Sequence, residues 1–393
     1  MNSIVIDNVT LVLPDSLKAG MALKTEGGKI AEIGKAGTLT GDTVVDGQGN
    51  YLAPGFIDIH VHGGGGHDFM DATVEATVGA MRAHMQHGTT TMVPTSLTSE
   101  DYELEALFDS IRTVKKSAEY ESLPCVPGVH LEGPYVAAAM AGAQDPKYIK
   151  SPTPDDWRKI VKMADGEILI WTVAPELEGA CEMAKELRPE GILFSAGHSE
   201  AKYSDAVAAI EAGYTMATHL YSSMSTIIRE NGYRVPGLLE AALLHDEYAV
   251  EVIADGKHLP ISLLQLIRKT KGLDRIVLVT DAMRGAGMPD GEYLLGSLRK
   301  GQLVSVFDGI AHMPDGISFA GSVATTDRLV RVMYKQAGIP LPEAVTMITV
   351  NPAREIGIGD CKGKLEIGMD ADLVLFDDDI TVKSVYIGGK KTV

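Results

Sequence analysis

The sequence predicts an α/β fold: a (β/α)8 TIM-like barrel joined to a small β-sandwich module built from both chain termini. Three observations carry that prediction. Short β-rich runs crowd the two ends of the chain, a long middle alternates apolar runs with helical stretches, and polar residues of related chemistry stand where the apolar runs stop.

At the amino end, segments 3–7, 10–13, 22–25 and 29–33 are rich in β-formers, and Gly27-Gly28 is a hairpin signal between the last two. Val44-Val45-Asp46-Gly47 then leads into Tyr51-Leu52-Ala53-Pro54-Gly55. At the carboxyl end, 371–376 and 382–387 are strands closed by a turn at Gly388-Gly389. Between them, apolar runs recur at 55–60, 90–94, 127–131, 168–173, 192–196, 215–218, 249–253, 276–280 and 317–320. Intervening stretches such as 73–86, 201–211 and 259–270 place apolar residues three and four apart, the spacing of an amphipathic helix. Roughly eight such repeats over roughly 290 residues fit a closed barrel better than an open sheet. The expected division is 1–53 and 349–393 for the two parts of the β module and 54–348 for the barrel.

Composition bounds the function. The 393 residues are 45% hydrophobic and 22% charged, which is globular and not disordered. With 53 acidic against 35 basic side chains, the formal charge is −18. Sequence-independent nucleic-acid binding needs clustered Lys and Arg and is excluded as a leading reading, as is attachment to an anionic membrane. No run approaches the roughly 18 apolar residues of a membrane span. Cys125, Cys181 and Cys361 are scattered and odd in number, so neither a disulfide framework nor a Cys-rich zinc site is expected. The expectation is a soluble cytoplasmic protein. An anionic substrate would need positive groups placed locally against the overall field.

The run at 55–60 ends on His60, with His62 two residues on. Glu132 follows 127–131, His198 follows 192–196, His219 follows 215–218 and Asp281 follows 276–280. Parallel strands of a barrel end on one face, so four histidines, a glutamate and an aspartate converge there. Residues two apart on a strand share a face, which brings His60 and His62 together. Any one of these histidines alone reads as an ordinary hydrogen-bonded core residue; six candidates at strand ends read as a divalent metal site. Imidazole and carboxylate suit zinc, iron(II) or manganese. His84, His87, His245 and His312 lack that placement and are expected to be solvated, whereas Met81 and Met85 read as helix core. The glycine run Gly63 to Gly66 has no Gly-Lys-Ser/Thr ending and is not a phosphate loop.

Several motifs are similar to those of the N-acetylglucosamine-6-phosphate deacetylases of the amidohydrolase superfamily, essentially end to end. They are Pro54-Gly55-Phe56-Ile57-Asp58-Ile59-His60-Val61-His62-Gly63, His130-Leu131-Glu132-Gly133-Pro134, Ala141-Gly142-Ala143-Gln144, Gly197-His198-Ser199, Thr218-His219-Leu220-Tyr221, Ala254-Asp255-Gly256-Lys257-His258 and Val279-Thr280-Asp281-Ala282. The resemblance implies a core metal held by Glu132, His198 and His219, and a second at His60 and His62, giving one or two divalent ions per subunit. It implies Asp281 as acid/base, and Ala143, Ser222, Ser223, Arg229, His258, Phe319, Ala320 and Gly321 around a sugar phosphate. It also implies a homodimer in which an arginine reaches the neighbouring site. Two departures fall in the sugar region. Ser222-Ser223 stands where the family usually has Asn-Ala, and the family's Arg-Glu-Pro-Gly is interrupted between Arg229-Glu230 and Pro236-Gly237.

The expected reaction is hydrolysis of N-acetylglucosamine 6-phosphate to glucosamine 6-phosphate and acetate. A different N-acetylhexosamine phosphate, such as the galactosamine epimer, is the first alternative. A cyclic-amide or N-acyl-amino-acid substrate is the second; the glutamate at 132, where many sister enzymes carry a modified lysine, argues against it.

Overall fold

A computed structural model describes residues 3–316 and 318–393. Its centre is a curled, all-parallel sheet of six strands in the order Val129–Glu132, Ile168–Val173, Leu193–Ala196, Tyr214–Ala217, Ala249–Val252 and Ile276–Leu278. A second parallel pair, Phe56–Val61 with Thr89–Pro94, lies beside it. Single bridges join this pair to both ends of the six: Thr95 with His130 at one end, Val61 with Ala282 at the other. These strands are buried nearly throughout because both faces are covered, the usual state of parallel sheets.

Helices follow the strands where apolar residues recur every three or four positions. Val74–Met85, Tyr203–Ala212 and Ile261–Lys271 answer the three helical stretches read from the sequence, and Met81 and Met85 are buried on the first. Thr73 caps Val74–Met85 through its side chain, and left-handed Gly213 ends Tyr203–Ala212.

The chain ends build one eight-stranded sheet. Leu373–Phe376 pairs antiparallel with Tyr51–Pro54, which pairs with Ile4–Leu13, so the last strands of the chain complete the sheet begun by the first. The two segments read as 3–7 and 10–13 form one strand, Ile4–Leu13, interrupted by bulges near Val9. Gly27 and Gly28 both have positive φ, as a two-residue turn between Ser16–Glu26 and Lys29–Lys35 requires. Ile6, Leu11, Leu23, Leu52, Leu373 and Tyr386 form the core of this sheet, separate from the main one.

Two small antiparallel elements were not visible in the sequence pattern. Ile228–Glu230 and Tyr233–Val235 make a hairpin over Asn231-Gly232, both with positive φ; the interruption between Arg229-Glu230 and Pro236-Gly237 is this hairpin. Gly291–Leu295, Gln302–Phe307 and Ile310–His312 make a three-stranded sheet above the strand ends. The buried Arg284 straps it down: its guanidinium makes two 2.8 Å bonds to Asp71 and also donates to the carbonyls of Gly66, Leu294 and Gly296. The apolar run expected at 317–320 corrects to a loop. Ile317 lies outside the described residues, and Phe319 makes a single bridge to His312. Among the described residues no helix is long and apolar enough to cross a membrane.

Candidate metal centre and its cavity

All six strand-end candidates meet. Glu132 ends its strand and His60 is next to last in its own, while His62, His198, His219 and Asp281 lie one to three residues beyond theirs. His198, His219 and Asp281 have φ of 47°, 28° and 48°, in or near the left-handed region that non-glycine residues avoid. Each such residue costs about 1–3 kcal/mol and turns the side chain inward immediately after the strand stops. Gly321 helps hold Asp281. Its φ is 63°, and a Cβ there would lie 2.8 Å from the Asp281 carbonyl, which accepts the Ser322 N–H at 2.7 Å.

Glu132 is the hub. Its Oε1 lies 2.9 Å from His198 Nε2 and 3.0 Å from His219 Nε2, and those two nitrogens are 3.1 Å apart. Its Oε2 lies 3.3 Å from His62 Nε2. His62 Nε2 is in turn 3.1 Å from Asp281 Oδ1 and 3.3 Å from His60 Nε2. Two groups of three donors result, Glu132–His198–His219 and His60–His62–Asp281, each buried.

The tautomers decide what this cluster is for. His198 Nδ1 is 2.7 Å from the Met140 carbonyl and must donate to it, which leaves a lone pair on Nε2. His60 Nδ1 faces Glu251 Oε2 at 2.9 Å, with the same consequence for the neutral ring. Lone pairs then point at one another and at two carboxylates, an arrangement that suits a cation at its centre. The donor set fits a divalent metal. His130 does not join it, although it lies 4.6 Å ring to ring from His60. Its Nδ1 bonds the Ile59 carbonyl and its Nε2 bonds Thr172 Oγ1, so no lone pair is free.

Electrostatics follow the geometry. Burial alone would raise the Glu132 carboxyl, but His198, His219 and His60 hold it well below the usual range. Burial alone would lower His60; the carboxylates of Glu251, Asp281 and Glu132 outweigh it and push the ring up to about 9, so a proton competes with a metal cation for Nε2. Burial drives His130 down to about 4, with the charge of His60 adding to it.

A cavity of about 260 Å³ opens above the cluster. His62, Glu132, His198, His219 and Asp281 form part of its wall, and Ala143, Ser222, Ser223, His258, Phe319 and Gly321, which the resemblance places around a substrate, line it. Two expected residues stand elsewhere. Ala320 is fully buried in an apolar cluster with Met283, Leu295 and Val304 and does not line the cavity. Arg229 is exposed on the added hairpin and lines no part of the cavity. His84, expected to be solvated, is 1% exposed, and its Nε2 bonds the Gly63 carbonyl at 2.8 Å. His87, His245 and His312 are half-buried.

Sequence reading missed three contributors. Glu251 sits inside the apolar run 249–253, fully buried, and its Oε2 also accepts the His219 N–H at 3.2 Å. Asp58 ties the strand Phe56–Val61 to Thr280, and burial raises its carboxyl to about 6 despite those bonds. Gln144 donates to Glu132 Oε2 at 2.6 Å and accepts the Thr98 N–H at 2.7 Å. The available signal was a charged residue in mid-run at 58 and 251, since an apolar strand buried on both faces carries an acid only where something pairs with it.

Comparison with known proteins places these residues in context. The model of the amidohydrolase family matches residues 51–392. The chain is 35% identical over 390 residues to N-acetylglucosamine-6-phosphate deacetylase of Lysinibacillus sphaericus, covering 99% of this chain and 97% of that protein. Among solved structures, N-acetylglucosamine-6-phosphate deacetylase from Pasteurella multocida superposes with a TM-score of 0.91 at 30% identity, covering 99% of both chains. A variant of the Mycobacterium smegmatis deacetylase, solved in complex with N-acetyl-D-glucosamine-6-phosphate, gives 0.89 at 31% identity, covering 100% of this chain and 99% of that one.

Proposed function

The chain belongs to the amidohydrolase family and is a hydrolase, and we propose that it removes the acetyl group of N-acetylglucosamine 6-phosphate, releasing glucosamine 6-phosphate and acetate. The observation that carries this reading is Glu132 Oε1 within 3.0 Å of Nε2 on both His198 and His219 at the wall of the cavity. Glu132, His198 and His219 would hold one divalent ion, with His60, His62 and Asp281 available for a second; zinc, iron(II) or manganese suits these donors. When bound, such an ion supplies Lewis-acid polarisation of the acetyl carbonyl and of the attacking water.

The chain's own groups do the rest. Asp281 takes a proton from the attacking water as its oxygen bonds to the acetyl carbon, then gives a proton to the amine nitrogen as the C–N bond breaks. Glu251 and the Met140 carbonyl keep His60 and His198 in the tautomers that present Nε2 inward. Ala143, Ser222, Ser223, Phe319 and Gly321 surround the sugar, and His258 meets its phosphate. Arg229, exposed on its hairpin, would serve a phosphate across a homodimer, in the neighbour's cavity. The eight parallel strands, with the bridges at Thr95 and Val61, support a complete (β/α)8 barrel over 54–348, flanked by a β module from 1–53 and 349–393.

Acetate release should be measured with metal supplied, on the 6-phosphates of N-acetylglucosamine and N-acetylgalactosamine, the free sugars, a hydantoin and an acyl amino acid. Preferential turnover of the glucosamine derivative is expected. Turnover confined to the hydantoin or acyl amino acid would defeat the reading, and preference for the other epimer would move the substrate.

A further inference from the structure

We infer that Asp255 is a positioning residue for the substrate's anionic group: it fixes the ring of His258 so that Nε2 faces the cavity and can meet the anion. The inference rests on the deacetylase reading and deepens it. No lysine or arginine lines the cavity among the described residues, and the other imidazoles there belong to the metal donor set. Lys257, next in sequence to His258, turns away to Asp308 at 2.8 Å. His258 is therefore the one basic group this chain itself offers to an anion in the cavity.

Its ring is held on two sides. Nδ1 lies 2.8 Å from Asp255 Oδ2, and the Phe319 ring packs edge-on at 5.0 Å between centroids. Asp255 is anchored in turn: it is 2% exposed, its Oδ1 accepts the N–H groups of Lys257 and His258 at 2.8 Å, and its own carbonyl accepts the Arg328 guanidinium. Burial pushes its carboxyl up, yet the hydrogen bond and charge of His258 and the two N–H groups hold it below the usual range, so a carboxylate stands there. With Nδ1 committed as donor to that carboxylate, Nε2 is the nitrogen left for the substrate. A phosphate oxygen can accept from Nε2–H while Nδ1–H donates to the carboxylate behind the ring. Asp255 itself does not line the cavity, so it acts through His258.

The test is a cycle of Asp255→Asn, His258→Ala and the double variant in metal-loaded enzyme, assayed on N-acetylglucosamine 6-phosphate and on N-acetylglucosamine. Asp255→Asn should raise KM for the phosphorylated sugar about tenfold, and leave kcat and the kinetics of the free sugar unchanged. On top of His258→Ala it should add nothing, because the two residues act as one unit. Asp255→Ser keeps an oxygen for the two N–H groups while withdrawing the carboxylate from Nδ1, and should show the same split if the asparagine variant fails to fold. Equal losses on both sugars, or additive effects in the double variant, would overturn the inference by showing a structural role. Failure of the deacetylase reading shows separately, as wild-type enzyme releasing no acetate from either sugar, and overturns this inference with it.

Discussion

Replacing Glu251 with leucine should weaken metal binding about 10- to 150-fold, although Glu251 is not in either group of inward-facing donors. Its carboxylate is fully buried, with one oxygen accepting from His60 Nδ1 at 2.9 Å and from the His219 N–H at 3.2 Å. Leucine has nearly the same bulk and no acceptor, so two buried donors lose their partner at once. A hydrogen bond to a charged group contributes about 1.5–3 kcal/mol. The bond to His60 is the one that matters for the metal, because it keeps the proton on Nδ1 and the lone pair on Nε2. Without it the proton can sit on Nε2, which is aimed at His62. The 1.5–3 kcal/mol converts to the stated loss at about 1.4 kcal/mol per tenfold, overlapping the 10–100-fold usual for groups that orient metal ligands. The assay is titration of metal-stripped protein with Zn²⁺ against a chromophoric chelator. Glu251→Gln can return an oxygen to the same place and should cost less. Wild-type affinity in the leucine variant, or equal losses in both variants, would refute the tautomer argument.

Asp281→Asn should retain bound metal, held by the five remaining donors, while kcat falls about 10²–10⁴-fold, the usual worth of general acid–base catalysis; a variant with metal bound and wild-type kcat would remove Asp281 from proton transfer. His84 gives a pH prediction. Burial, helped by the charge of His87 and opposed by the Gly63 carbonyl and Asp327, lowers its folded pKa to about 4, against about 6.5 in an unfolded chain. The folded state refuses a proton that the unfolded state takes, so this contribution is intact above about pH 6.5 and is lost as the pH falls toward 4. It should amount to about 2 kcal/mol between pH 7.5 and 5. His84→Gln cannot titrate, and denaturant unfolding at both pH values should show a correspondingly smaller drop; an identical drop would contradict the assignment. Finally, Arg229→Ala should raise KM for the phosphorylated sugar only if copies of the chain associate. An unchanged KM in protein shown to be dimeric by sedimentation would exclude Arg229 from the site.

The strand-end donors were legible because hydrophobic periodicity is a local property. An apolar run followed by a helical stretch marks where a parallel strand stops, and the residue at that stop is known before the fold is. His60, His62, Glu132, His198, His219 and Asp281 could therefore be assembled from position alone, and the sheet from both termini from strands at both ends. The partners of those donors were not legible. Glu251 reaches His60 from 191 residues away and Met140 reaches His198 from 58, and nothing local distinguishes either partner from an ordinary residue of its segment. The same holds for His84, whose helical neighbourhood looks like a surface until the Gly63 loop covers it. Ala320 and Arg229 illustrate the converse: resemblance to the deacetylases suggested the cavity, while the burial of one side chain and the exposed hairpin under the other took them out of it. The sequence by itself determined which donors stand at the strand ends, because secondary-structure period is written in consecutive residues. Tertiary structure alone decided which nitrogen each histidine presents and which acid stands behind it, because those depend on long-range contacts that no local pattern encodes.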